Sequence, residues 1–246
     1  MGQYWSNHGL LEALVRARMI DVQHVRKVFQ TPDSEVVALN DISLSIPTGA
    51  MVALMGPSGS GKTTLLNIIG AMDAPTSGTV TLDAVRVDTM HADERALFRK
   101  RIGFVFQRFA LIATASAYEN MEFALRIAGV DRAQWHTRIL HALDILDMND
   151  HAHHRPAELS GGQQQRIAVA RAICIEPSIL IVDEPTANLD SQRGAAVLSL
   201  FRNYAANGTT IVMSTHDPTS EKYATSICRL RAGAIEAYAT APSVQR

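Results

Sequence analysis

Two stretches of this 246-residue chain carry phosphate and metal chemistry at positions that make sense together. Gly56-Pro57-Ser58-Gly59-Ser60-Gly61-Lys62-Thr63 fits G-x-x-x-x-G-K-[ST]. Such a glycine-rich turn lets backbone N–H groups wrap phosphates, while the lysine reaches the outer phosphates and the Thr63 hydroxyl suits a divalent cation. The helix expected from Thr64 onward points its positive end at the same spot. Further along, the apolar run Ile179-Leu180-Ile181-Val182 ends in Asp183-Glu184. Acids at the carboxyl end of a buried strand stand where ligands of α/β sheets collect. Asp183 suits Mg²⁺, and Glu184 suits orienting or deprotonating an attacking water.

The elements that must position these residues are legible in outline. Met51–Met55 reads as a buried strand entering the glycine-rich loop, which gives strand, loop, helix in the order the chemistry needs. Ile42–Ile46 alternates in strand fashion, and Thr79–Leu82 with Val85–Val87 suggests a β-ribbon, although Ala84 stands where the turn favours glycine. From about Arg108 to Ala157 the pattern turns helical, with Trp135, Ile139, Leu143 and Leu146 along one face. A helix over Val169–Ile173, the Ile179–Val182 strand, a helix over Gly194–Tyr204, a strand over Thr209–Met213 and a hairpin about Ala232-Gly233 complete the chain. The charges of Asp93–Arg101 read as a solvent-facing helix.

Composition narrows the class. At 47% hydrophobic and 19% charged, the chain can bury one large core or a core with a small subdomain. A formal net charge of -1 argues against general nucleic-acid binding, which needs a clustered excess of Lys and Arg. No apolar run approaches the roughly 18–20 residues that span a bilayer, so a membrane-spanning part would belong to another chain. Cys174 and Cys228 read as free core thiols. Leu10, Leu11, Leu14 and Val15 recur at helical spacing in residues 1–18, which read as an extension before a first strand starting near Met19. The three histidines of Asp150-His151-Ala152-His153-His154 invite a metal reading, but no carboxylate or cysteine cluster accompanies them; a solvated loop is expected.

At Leu159-Ser160-Gly161-Gly162-Gln163 the chain resembles the nucleotide-binding ATPases of ABC transporters, whose signature motif this segment matches. Ser160 and its glycines open a second helix whose N-terminus can face phosphate. The resemblance implies a head-to-tail dimer, each ATP lying between one subunit's phosphate loop and Ser160, Gly161, Gly162 and Gln163 of the other. It further implies a Q-loop at Gln107 that senses metal and water, a D-loop at Pro185–Asp190, an H-loop His216 at the γ-phosphate, and Phe29 in place of the Tyr that stacks on adenine. The expected fold is α/β, a P-loop NTPase (RecA-like) core with an antiparallel β-subdomain and an inserted helical subdomain. The divisions are 1–18 extension, 19–107 first core part, 108–157 helical subdomain and 158–246 second core part. Ala71–Gly78, Phe109–Ile112 and Ala117–Asn120 are most similar to the macrolide-exporter and lipoprotein-release group, with Ala71, Ala74 and Ala113 departing from it. The resemblance implies an ATPase at the cytoplasmic face of a membrane, driving a permease to move lipid, lipoprotein, peptide or drug-like cargo. The alternatives are a mechanotransmitter and a nucleic-acid- or ribosome-linked ATPase; the short, heptad-free span between Gln107 and Ser160 speaks against the last.

Overall fold

The structure is a computed structural model describing residues 18–32 and 34–240. The extension expected over residues 1–18 lies, apart from Arg18, outside the described residues. Among the described residues, ten strands form two sheets. β1 (Arg18–Gln30), β2 (Glu35–Pro47), β4 (Ser77–Leu82) and β5 (Val85–Arg86) make an antiparallel sheet in the order β2-β1-β4-β5. β3 (Met51–Met55), β6 (Ile102–Val105), β7 (Ile179–Asp183), β8 (Thr210–Thr215), β9 (Ser226–Arg231) and β10 (Ala234–Thr240) form the second, in the order β10-β9-β3-β8-β7-β6. Its neighbours run parallel except for β9 and β10, so the fold is the expected α/β core with an antiparallel β-subdomain.

Apolar runs make the central parallel strands β3 and β7, because both faces of such a sheet are covered. Every residue of β3 and β8 is buried. Strand alternation divides the interior in two: Met51, Ala53 and Met55 join the helical layer, Val52 and Leu54 the β-layer. α1 (Lys62–Ile69) packs Leu65, Leu66, Ile68 and Ile69 into the second of these cores. α3 (Ala117–Ala128) and α4 (Arg132–Ile145) follow β6 and pack on α5 (Gly161–Ile173), burying Trp135, Ile139, Leu143 and Leu146 as their spacing predicts. α2 (Ala92–Phe98) covers the charged stretch, and α6 (Ser191–Ala206) follows β7.

Two departures have physical causes. The β4–β5 turn keeps its non-glycine residues: Asp83 and Ala84 sit at φ 48° and 61°, so both adopt the left-handed conformation such a turn requires. The His-rich segment is not a solvated loop throughout. His151 ends a 3₁₀ turn, Asn149–His151, and is half-buried, whereas His153 and His154 are exposed as expected. Among the described residues no cluster of His, Cys, Asp and Glu is arranged to hold a metal. Cys174 and Cys228 are both buried, and burial pushes each thiol up to about 12.

Candidate functional site

The loop between β3 and α1 adopts a shape that only glycine permits at two points. Gly56 has φ 152°, and a Cβ there would lie 2.2 Å from the Leu230 carbonyl oxygen. Gly61, the N-cap of α1 at φ 101°, would bring a Cβ within 2.7 Å of the Ala38 carbonyl oxygen. The loop is therefore wedged between β2 and the β9–β10 hairpin: Gly233 N–H donates to Ser60 C=O of the loop at 3.1 Å, and Gly233 C=O accepts the N–H of Asn40 in β2 at 2.7 Å.

This wedge aims donors outward. The first helical bond of α1 runs from Leu65 N–H to Gly61 C=O at 2.9 Å, so the N–H groups of Lys62, Thr63 and Thr64 precede the helical ladder. No acid lies in this first turn to neutralise the positive end. The Lys62 ammonium is tethered over the loop by the carbonyls of Gly56 at 2.8 Å and Pro57 at 3.0 Å. The Ser60 hydroxyl is buried with no hydrogen-bond partner among the described residues.

The loop forms one wall of a cleft of about 560 Å³ lined by Gly56, Pro57, Ser58, Gly59, Ser60, Gly61, Lys62, Thr63 and Thr64. Gln107, Asp183, Glu184 and His216 close the opposite side. Thr63 Oγ1 donates to Asp183 Oδ2 at 3.3 Å, so a hydroxyl and a carboxylate oxygen from different elements converge. Strand alternation does not set the direction of Glu184 relative to Asp183, because β7 ends at Asp183. The chain turns left-handed at Glu184, φ 50°, and that turn sends its carboxylate elsewhere. Ser214 of β8 fixes the turn: its C=O and Oγ accept the Glu184 N–H at 3.2 and 3.1 Å, and its hydroxyl bonds Asp183. The carboxylate of Glu184 is largely buried and lies 2.9 Å from Nδ1 of the exposed His216. Beside it, the hydroxyl and N–H of Thr219 hold the Asp217 carboxyl below its ordinary range.

The signature segment is built separately. Ser160 caps α5, its Oγ accepting the Gln163 N–H at 3.3 Å while Gln163 Oε1 accepts the Ser160 N–H at 2.7 Å. Ser160, Gly161, Gly162 and Gln163 do not line the cleft of the phosphate loop. Gly162 is held closely, since a Cβ would stand 3.2 Å from the Asn188 carbonyl oxygen.

Phe29 is placed at the margin. It does not line the cleft, whereas Val36, Val37 and Ala38 do, and Phe29 pairs with Val36 across the β1–β2 hairpin. Lys27 lies over the Phe29 ring at 5.0 Å and is itself paired with Asp73 at 2.7 Å. Strand patterning alone does not disclose Val36 and Val37, because their neighbour across the hairpin depends on a register interrupted by bulges. Arg171 is also unforeseen. From within α5 its guanidinium bonds the carbonyls of Phe109 and Ala110, which occupy left-handed φ values of 60° and 48° just past Gln107.

Residues 39–187 match the ABC transporter family profile. The chain is 43% identical over 218 residues to an uncharacterized ABC transporter ATP-binding protein of Methanocaldococcus jannaschii, covering 88% of this chain and 97% of that one. It is 43% identical over 220 residues to the macrolide export ATP-binding/permease protein MacB of Brucella abortus, covering 89% of this chain and 34% of that protein. The chain thus spans about a third of the length of the macrolide export proteins it matches. Among solved structures, the dimeric ATP-binding cassette MJ0796 in a post-hydrolysis state with ADP and Pi superposes with a TM-score of 0.87 at 36% identity, over 92% of this chain and all of that one. The wedged phosphate loop, the Asp183–Glu184–His216 cluster and the capped signature helix sit within a chain that belongs to the ABC transporter family, as its ATP-binding and ATP-hydrolysing cassette.

Proposed function

We propose that two copies of this chain close head to tail on two ATP molecules and thereby drive a separate membrane permease. The carrying observation is the separation of the two helix N-termini. The Ser160–Gln163 turn is formed and capped, yet it lies outside the cleft that unites Gly56–Thr64 with Asp183, Glu184 and His216. A second copy is the simplest source of the missing wall, and the related MJ0796 cassette is described as dimeric.

In this reading Lys62 and the loop amides hold the phosphates, and the apolar edge of Val36 and Val37, with Phe29 beside it, receives the base by stacking. Thr63 and Asp183 would hold Mg²⁺, with Gln107 within the same cleft; their hard oxygen donors fit that ion, which neutralises charge on the phosphate oxygens. Glu184 accepts a proton from the attacking water. His216 Nδ1–H donates to Glu184 and leaves Nε2 to meet the γ-phosphate. The chain divides functionally as 19–107 and 158–246 for ATP and 108–157 for coupling.

The partner's seat is a groove of about 460 Å³ between α2, β6, α3 and α5. Phe123 and Ile127 are about half exposed there, more apolar surface than solubility favours. Its charged lining residues are Arg99, Lys100 and Arg171, with no carboxylate among them. The cargo in this reading is a lipid, lipoprotein, peptide or drug-like molecule, and the likeness to proteins named for macrolide export supports the last of these. Recovery of the tagged subunit from membranes tests the reading: it expects two copies bound to a permease with a large extracytoplasmic domain. Recovery with ribosomes or nucleic acid, and no membrane protein, would overturn it.

A further inference from the structure

The histidine segment reaches the signature turn through one contact: His151 Nε2 lies 2.7 Å from the side-chain nitrogen of Gln163. The orientation of that amide is fixed from its other end, because Oε1 accepts the Ser160 N–H, a backbone donor, at 2.7 Å. The nitrogen facing His151 therefore carries only hydrogens. It can bond an imidazole nitrogen only if that nitrogen holds a lone pair, so His151 must be neutral with its proton on Nδ1. That Nδ1 is buried and has no hydrogen-bond partner among the described residues.

We propose that His151 is a positioning residue for the signature turn, holding Gln163 through its neutral imidazole and releasing the Ser160–Gln163 cap when the imidazole takes a second proton. Protonation places an N–H against the amide NH₂. Turning the amide over relieves that clash but sets its NH₂ against the Ser160 N–H, so the capping bond is lost either way. The contact requires the neutral imidazole and is lost when the ring gains a second proton. For its effect on ATP turnover the inference rests on the proposed role of Ser160–Gln163.

The ionisable surroundings are few. From its own segment come Asp150 and His154, whose ring centroid is 5.2 Å away. α5 faces it with Gln163 and carries no charge before Arg166, whose guanidinium bonds the carbonyls of Leu146 and Asp147. α4 contributes Asp144, which bonds the Asn149 side chain at 2.9 Å. The following turn contributes Arg155 and Glu158, joined by a bond from the Arg155 N–H to the Glu158 carboxylate. From α3, Tyr118 stacks on His153, and hydrogen bonds from the Ser116 N–H and hydroxyl keep the Glu119 carboxyl below its ordinary range.

Two variants separate holding from titrating. His151→Gln keeps an acceptor near the Nε2 position and cannot titrate in this range; His151→Phe keeps bulk without an acceptor. Amide exchange over residues 159–166 of the isolated subunit, corrected for intrinsic rate, is measured at pH 8 and near pH 5.8. Wild type should lose about 3–10-fold of its protection at the lower pH, the size of one hydrogen bond. His151→Gln should show no such loss, and His151→Phe should be poorly protected at both. The ¹⁵N shifts of His151 at pH 8 should report the Nδ1–H tautomer. An Nε2–H tautomer, or the same acid response in wild type and His151→Gln, would overturn the proposal. Turnover is read in parallel as the ratio of each protein's rates at the two pH values, because acid acts on the rest of the ATP site equally in all three. If exchange behaves as expected while the three turnover ratios coincide, His151 stands as the positioning residue, and the assignment of the signature turn to the ATP site is what fails.

Discussion

Glu184 Oε2 and His216 Nδ1 lie 2.9 Å apart although the two residues leave different strands, and the left-handed turn at Glu184 is what aims one at the other. The Ser214 backbone and hydroxyl hold that turn, so the pair depends on the β7–β8 register rather than on local sequence. Substituting Glu184→Gln keeps the size and the backbone bonds while removing the proton acceptor. Turnover should fall by about 10²–10⁴. With Mg-ATP the variant should accumulate as a dimer in static light scattering; wild-type turnover would show that the base is another group.

The two walls of the ATP site should fail in different ways. Lys62→Ala removes the cation over the loop and should weaken binding of a fluorescent nucleotide to the isolated subunit. Ser160→Arg alters a residue outside that cleft and should leave monomer affinity near wild type while abolishing ATP-dependent dimerisation. Equal loss of monomer affinity in both would contradict a site shared between two chains.

The groove offers a choice between docking and core residues that sequence could not make. Leu111 and Tyr118 pack against the buried helical core, whereas Phe123 and Ile127 open on the groove. Phe123→Glu should leave the melting temperature and ATP binding near wild type but prevent co-purification with the permease. Leu111→Glu should instead lower the melting temperature, because it brings a carboxylate into an apolar contact. Retained co-purification of a folded Phe123→Glu subunit would move the docking surface elsewhere.

The β4–β5 turn carries strain that a single substitution can release. Left-handed φ costs a non-glycine residue about 1–2 kcal/mol, and glycine's greater freedom in the unfolded chain takes back about 0.5–1 kcal/mol. Ala84→Gly should therefore stabilise the fold by about 0.5–1 kcal/mol, or roughly 1–4 °C in calorimetry for a chain of this size. An unchanged or lowered melting temperature would mean that the turn is not strained at Ala84.

Legibility followed the range of the interaction. The phosphate loop, the apolar strand before Asp183 and the capping box at Ser160–Gln163 are local patterns, and residue spacing alone locates them. The placement of Val36 and Val37 rests on a bulged hairpin register, and that of Ser214 on a neighbouring parallel strand. Arg171 bonds carbonyls some sixty residues earlier, and His151 bonds an amide twelve residues later across a turn. None of these has a period to detect, because each is settled only when the core brings distant segments together.

The phosphate loop is confined by main-chain oxygens, those of Leu230 at Gly56 and Ala38 at Gly61. Every amino acid supplies the same carbonyl, so residues 38 and 230 can drift among apolar types that keep their strands buried without altering the confinement. The glycines have no such latitude. Substitution around the loop should consequently be lopsided: a freely changing frame encloses two positions that cannot change, and a survey of permissive mutations would outline the loop by where tolerance stops.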